Sequence, residues 1–132
     1  MFETVVIATD GSTSAARAVD AALDLARRFD AEVHVLSVLD EPTAAHEAEV
    51  RDVLAALRAD TDYPLTTVIE RGEAAETIQA YAASVDADLV ATGTRGRDGP
   101  FSYHLGSVAE AIVHDCPVPV LTVRQLEHPE EA

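Results

Sequence analysis

Five short runs rich in valine, isoleucine and leucine alternate with stretches of helical periodicity, and that alternation leaves few folds open. The runs are Thr4–Thr9, Glu32–Leu39, Leu65–Glu70, Asp88–Thr92 and Val118–Val123. Strands that are apolar almost throughout are buried on both faces, as in a parallel sheet between two layers of helices. The intervening spacing predicts helices over about Thr13–Phe29, Ala44–Ala59, Glu73–Val85 and Ser107–His114. The first would bury Ala15, Val19, Ala22, Leu23 and Ala26, with Ser12 or Thr13 as N-cap. The second would bury Val50, Val53, Leu54 and Leu57, and the third Ala75, Ile78, Tyr81, Ala82 and Val85. Strict alternation with right-handed crossovers gives an α/β fold, a doubly wound five-stranded parallel sheet with four helices.

At 132 residues the chain is expected to form one domain over residues 1–126, with a frayed tail over 127–132. Nothing near Met1 reads as a secretory signal, and no apolar stretch approaches the roughly 20 residues that span a bilayer. A soluble, cytoplasmic protein is expected. The lone Cys116 has no internal disulfide partner and reads as a space-filling residue beside Pro117.

The formal charge is −15, from 24 acidic and 9 basic residues, and all the basic residues are arginine. Affinity for a phosphate backbone comes from clustered Lys and Arg, so nucleic acid and anionic membranes are not expected partners. Self-repulsion of this size is best tolerated in strong salt, where the Debye length falls to about 3 Å near 1 M. A salt-rich cytoplasm, as in halophiles, is therefore expected.

Chemistry concentrates in two loops that each follow a strand, and in a doubly wound sheet both open on the carboxyl edge where ligands bind. One runs Gly93-Thr94-Arg95-Gly96, then nine residues, then Gly106-Ser107. Its glycines let main-chain N–H groups approach an anion without a Cβ in the way, and Gly106-Ser107 would open a helix whose unpaired N–H groups attract phosphate. Arg95 and Arg97 add two cations, and His104 reads as a solvated loop residue. The other loop is Ala8-Thr9-Asp10-Gly11-Ser12. Asp10 could cap the first helix, accept a phosphoryl group, bind a metal or accept hydrogen bonds from ribose. A phosphoryl acceptor of α/β type has a lysine near the phosphate and a P-loop ends in Gly-Lys-Ser or Gly-Lys-Thr; a chain without lysine has neither. Ribose recognition survives best.

With these residues in place, the chain resembles the universal stress protein family in its ATP-binding branch, over nearly its whole length. The resemblance rests on the first strand ending in Asp10-Gly11-Ser12, on the Gly-x2-Gly-x9-Gly-Ser signature at Gly93, Gly96, Gly106 and Ser107, and on the closing Cys116-Pro117-Val118-Pro119-Val120-Leu121 segment. It implies a Rossmann-like sheet of order 3-2-1-4-5, with the first and fourth strands side by side. It also implies that Asp10 contacts ribose, that Val38 offers its backbone to adenine, and that the signature holds the phosphates of ATP, with Mg²⁺ or Mn²⁺ associated through them.

Pro119 in the closing strand argues for an edge position, since proline cannot donate to a ladder on both sides. The apolar edge Val118–Val123 would be costly to leave bare, and the resemblance implies a homodimer through it. The sequence pairs no base with a nucleophile, so no catalytic residue is assigned and slow metal-assisted hydrolysis is the most an enzyme reading allows. His34, His46, His114 and His128 show no metal-ligand spacing with Cys116 or one another, and no zinc is expected. The expected function is a nucleotide-binding regulatory module of the stress response; the alternatives are a slow ATPase or autophosphorylating enzyme, and a dimeric interaction protein without nucleotide.

Overall fold

The computed structural model describes residues 2–9, 16–40, 43–93 and 102–123; for residues 16–18 and 102–107 only the course of the backbone is described. The elements are β1 (Thr4–Ala8), α1 (Ala16–Phe29), β2 (Glu32–Leu39), α2 (Ala44–Asp60), β3 (Thr66–Arg71), α3 (Ala74–Ser84), β4 (Leu89–Gly93), α4 (Ser102–Asp115) and β5 (Val120–Val123). They form one parallel sheet of order β3-β2-β1-β4-β5, the order that the family resemblance implies.

Strand alternation divides the core in two. Val5, Ile7, Val33, Val35, Leu89 and Ala91 face α1 and α2, while Val6, Ala8, Leu36 and Val90 face α3 and α4. β1, flanked by β2 and β4, is the central strand, and Val5, Val6 and Ile7 are fully buried.

Two helices end in the same way. Asp30 (φ 57°) and Asp86 (φ 54°) take the left-handed conformation after α1 and α3. Their N–H groups donate to Arg27 and Ala83 carbonyls at 3.2 Å, and the next N–H groups, of Ala31 and Ala87, reach back to Ala26 and Ala82 at 3.0 and 2.9 Å. This is the Schellman arrangement, which satisfies terminal carbonyls and turns the chain directly into the next strand. Asp88 then does what its reading as the first residue of a strand does not suggest. Its carboxylate accepts from the N–H groups of Glu3 and Thr4 at 2.9 and 3.0 Å, tying the entry of β1 to that of β4.

Three expectations need correction. β5 begins at Val120 rather than Val118: Pro119 has no N–H to donate, though its carbonyl accepts from Val90 at 3.0 Å, so it stands at the threshold of the ladder. The edge position is as expected. Val53 is 42% exposed, because it lies about 60° round the helix from Val50, on the side away from Leu54. Finally, α4 starts at Ser102, five residues ahead of the expected Ser107. In sequence Pro100 stands just before it, where a helix can begin but not continue, and an interior Gly106 costs only about 1 kcal/mol relative to alanine.

Candidate functional site

The winding of the sheet reverses between β1 and β4, since α1 and α2 cover one face and α3 and α4 the other. A crevice opens at such a point, outside the carboxyl ends of the strands. Ala8 is paired with Leu36 on one side and with Thr92 on the other, so β1, β2 and β4 end together around it.

Thr9, which leaves β1, is buried and anchored to β2. Its N–H donates to the Leu36 carbonyl at 2.9 Å, and its carbonyl accepts from the buried Ser37 hydroxyl at 2.8 Å. Asp10 follows directly in sequence and lies outside the described residues. On β4, Thr92 is fully buried and Gly93 ends the strand beside Val123.

Two hydrogen bonds fix which way the main chain of β2 faces. The Leu36 carbonyl accepts from Thr9, on the β1 side, whereas the Leu39 carbonyl accepts from Gly72, on the β3 side, at 3.1 Å. Successive residues of a strand face opposite neighbours. The N–H and C=O groups of Val38 therefore share the direction of Leu36, toward β1, but lie two residues beyond the last β1 residue in the ladder. Its side chain is half-buried against the cluster under α3 and α4.

Of the residues singled out from the sequence, Val38 and Gly93 thus stand at the carboxyl ends of β2 and β4. Gly106 and Ser107 lie in the second turn of α4, not at its mouth, so the described N–H groups left without intrahelical partners belong to residues 102–104. Arg95, Gly96 and Arg97, like Asp10, lie outside the described residues, as do the Ser12 and Thr13 caps and the tail. Ser37, which sequence reasoning passed over as part of an apolar run, locks the exit of β1; a lone hydroxyl in such a run is the signal that could have found it.

His34 belongs to the opposite end of the sheet. Its ring nitrogens lie 2.8 Å from the Tyr81 hydroxyl and 2.8 Å from a Glu32 carboxylate oxygen, linking β2 to α3. Burial, and then the Glu70 and Glu32 carboxylates, push the Tyr81 phenol above its ordinary pKa. Among the described residues no group of three or more His, Cys, Asp or Glu side chains could hold a metal ion, and no helix is long and apolar enough to cross a membrane.

Residues 1–124 match the universal stress protein family. A universal stress protein of Thermus aquaticus is 34% identical, over 94% of this chain and the whole of that one. Among solved structures, the universal stress protein UspA of Lactobacillus plantarum superposes with a TM-score of 0.76 at 27% identity, covering 93% of this chain and 98% of the other. A universal stress protein in complex with cAMP superposes at 0.75 with 28% identity, covering 95% and 98%.

Proposed function

The chain belongs to the universal stress protein family, and from that premise we propose that it is a regulatory module that holds an adenine nucleotide, ATP, at the carboxyl ends of β1, β2 and β4. The observation that carries this reading is the direction of the Val38 main chain, which sets one donor and one acceptor over the end of β1, where an adenine edge needs both. A structure 28% identical to this chain is described as a complex with cAMP, which shares the adenine and ribose of ATP.

In this reading Asp10 accepts hydrogen bonds from the ribose hydroxyls. The phosphates lie against Gly93, the Arg95-Gly96-Arg97 segment and the amino-terminal half of α4, which carries Gly106 and Ser107. Mg²⁺ or Mn²⁺ is held through the phosphate oxygens and offsets charge that a chain of net −15 with no lysine cannot offset alone. The chain's own residues bind and orient; none of those assigned moves a proton. Two copies pair through the outer side of β5, the edge that β4 leaves open.

Thermal-shift titration at high salt with ATP, ADP, AMP, cAMP and GTP, each with and without Mg²⁺, tests the proposal. Adenine nucleotides should raise the melting temperature in proportion to the logarithm of their concentration, and GTP should not. Asp10→Ala should weaken ATP binding by about ten- to a hundredfold, since a hydrogen bond to a charged group is worth about 1.5–3 kcal/mol. Sustained phosphate release with Mg²⁺ would make the protein an ATPase, and no shift with any nucleotide would leave an interaction protein.

A further inference from the structure

Helix α2 is flanked by two clefts of opposite character. On the α1 side, a cleft of about 510 Å³ is lined by Asp20, Asp24, Asp60 and Asp62 against the single guanidinium of Arg27. On the β3 side, a cleft of about 320 Å³ runs along Arg51, Leu54, Arg58, Thr67 and Ile69. There the balance is inverted. Arg51 and Arg71 both pair with Glu47, the one carboxylate lining the cleft, so the two arginines that line it, Arg51 and Arg58, and a third beside it, Arg71, meet a single carboxylate partner among the described residues. Arg58 is exposed and has no ion pair among the described residues.

The same cleft borders an open edge. β3 ends the sheet order and pairs only with β2, leaving one side of its ladder without a neighbouring strand among the described residues. Thr67, Val68, Ile69 and Glu70 are half-buried. A strand added there would lie about 4.8 Å from β3, and its alternate side chains would stand on the α2 side beside Thr67, Ile69 and Arg71. Small apolar groups would meet Ile69 and Leu54, and carboxylates would meet the guanidinium groups.

We propose that the outer edge of β3, with the Arg51 and Arg58 cleft beside it and Arg71 at its end, docks an extended acidic segment of a partner protein by strand addition. The ladder supplies main-chain hydrogen bonds, and the arginines select for carboxylates at alternate positions. Glu47 is the stand-in: with no partner bound it occupies Arg51 and Arg71, and the incoming carboxylates displace it. This proposal does not rest on the nucleotide reading: its residues stand on α2 and the outer side of β3, whereas the nucleotide is assigned to the carboxyl ends of β1, β2 and β4.

The test is fluorescence anisotropy on the full chain with a labelled peptide alternating glutamate and valine, against the same peptide carrying lysine for glutamate. The glutamate peptide should bind, and more weakly as salt rises. The double variant Arg51→Glu with Arg58→Glu should weaken it by about tenfold or more, and the single exposed change Arg58→Gln by about threefold. Glu47→Gln frees two arginines and should tighten binding by about threefold, a gain no general loss of folding can mimic. Amide exchange should slow across 66–71 when the peptide is bound. Equal or stronger binding of the lysine peptide, indifference to the arginine changes, or protection at Val120–Val123 instead would each overturn the proposal.

Discussion

At the amino-terminal end of the sheet, side chains tie the strands to one another and to the helices. The Asp88 carboxylate holds the N–H groups of Glu3 and Thr4, Glu32 and Tyr81 bracket His34, the Tyr63 hydroxyl donates to the Ala31 carbonyl, and Phe2 meets Phe29 edge to face at 5.0 Å. At the carboxyl end the described ties are the main-chain bonds of Thr9 and Gly72 together with side-chain bonds from Ser37, Thr92 and Arg71, the last of these to Glu47. The proposed nucleotide site lies at this second end, so the proposal sets ligand recognition apart from the amino-terminal ties that hold the strands together. A change at one end should move the melting temperature, and a change at the other the affinity.

The sharpest way to break that division is Asp88→Ala, which strips two backbone donors of a charged acceptor. It should cost about 2–3 kcal/mol in urea unfolding with nucleotide affinity intact, the exposed bond to Glu3 counting for less than its partner. A loss of affinity with unchanged stability would reverse the roles of the two ends. Ser37→Ala comes next: it leaves the buried Thr9 carbonyl without its hydroxyl donor, for about 1–2 kcal/mol of stability and weaker nucleotide binding. A variant that loses stability yet binds as before would separate the exit of β1 from the site. At the two helix ends the expected sign is opposite. Asp30→Gly and Asp86→Gly relieve left-handed backbone in residues bearing a Cβ, and each should raise stability by up to about 1 kcal/mol. A melting temperature that falls in both would show that the aspartates contribute more than their conformation costs.

The smallest effect is alkaline. Tyr63 is pushed above its ordinary pKa by burial and then by the Asp30 carboxylate, against the opposing pull of Arg27, and Tyr81 is raised by burial and its glutamates. Both phenols favour the neutral form when folded. The resulting stability is fully present below pH 10, the ordinary tyrosine value, and is lost as the pH rises from there through the raised pKa. Urea midpoints measured across that range should fall less steeply once Tyr63→Phe and Tyr81→Phe are introduced. An unchanged slope would remove the two phenols from the account.

Much of this architecture was legible in the sequence because the relevant signals are local. Apolar runs placed all five strands, and β2 matches its expected bounds, Glu32–Leu39. Thr43 caps α2 and Glu73 caps α3, each accepting from the N–H three residues on. What stayed hidden depends on pairing between distant segments. Asp88 can reach Glu3 and Thr4 only because β4 lies beside β1, and Arg71 joins Arg51 only through the placement of α2 over β3. Arg58 stands exposed on α2, and nothing in the local pattern around it shows that a sheet edge runs beside it. At the candidate site the strand ends were legible to within a residue, Leu39 as expected and Gly93 where Thr92 is expected, while Val38 was singled out only through the family resemblance. The start of α4 was not, because Gly106-Ser107 carries the chemistry of a helix opening while Ser102, just after Pro100, can serve as one too.

The central strand has a consequence for the order in which the molecule comes into being. β1 precedes the other described elements along the chain, yet one of its two neighbours is a strand whose entry, Asp88, lies 84 and 85 residues away from the backbone groups it holds. Pairing of β1 with β2 can precede that closure, whereas pairing with β4 waits for most of the chain, and contacts of such long separation form late and slowly. The crevice between β1 and β4 is therefore among the last features to appear. A molecule in which the proposed nucleotide is held there has already joined β1 to β4, so binding would report that long-range closure.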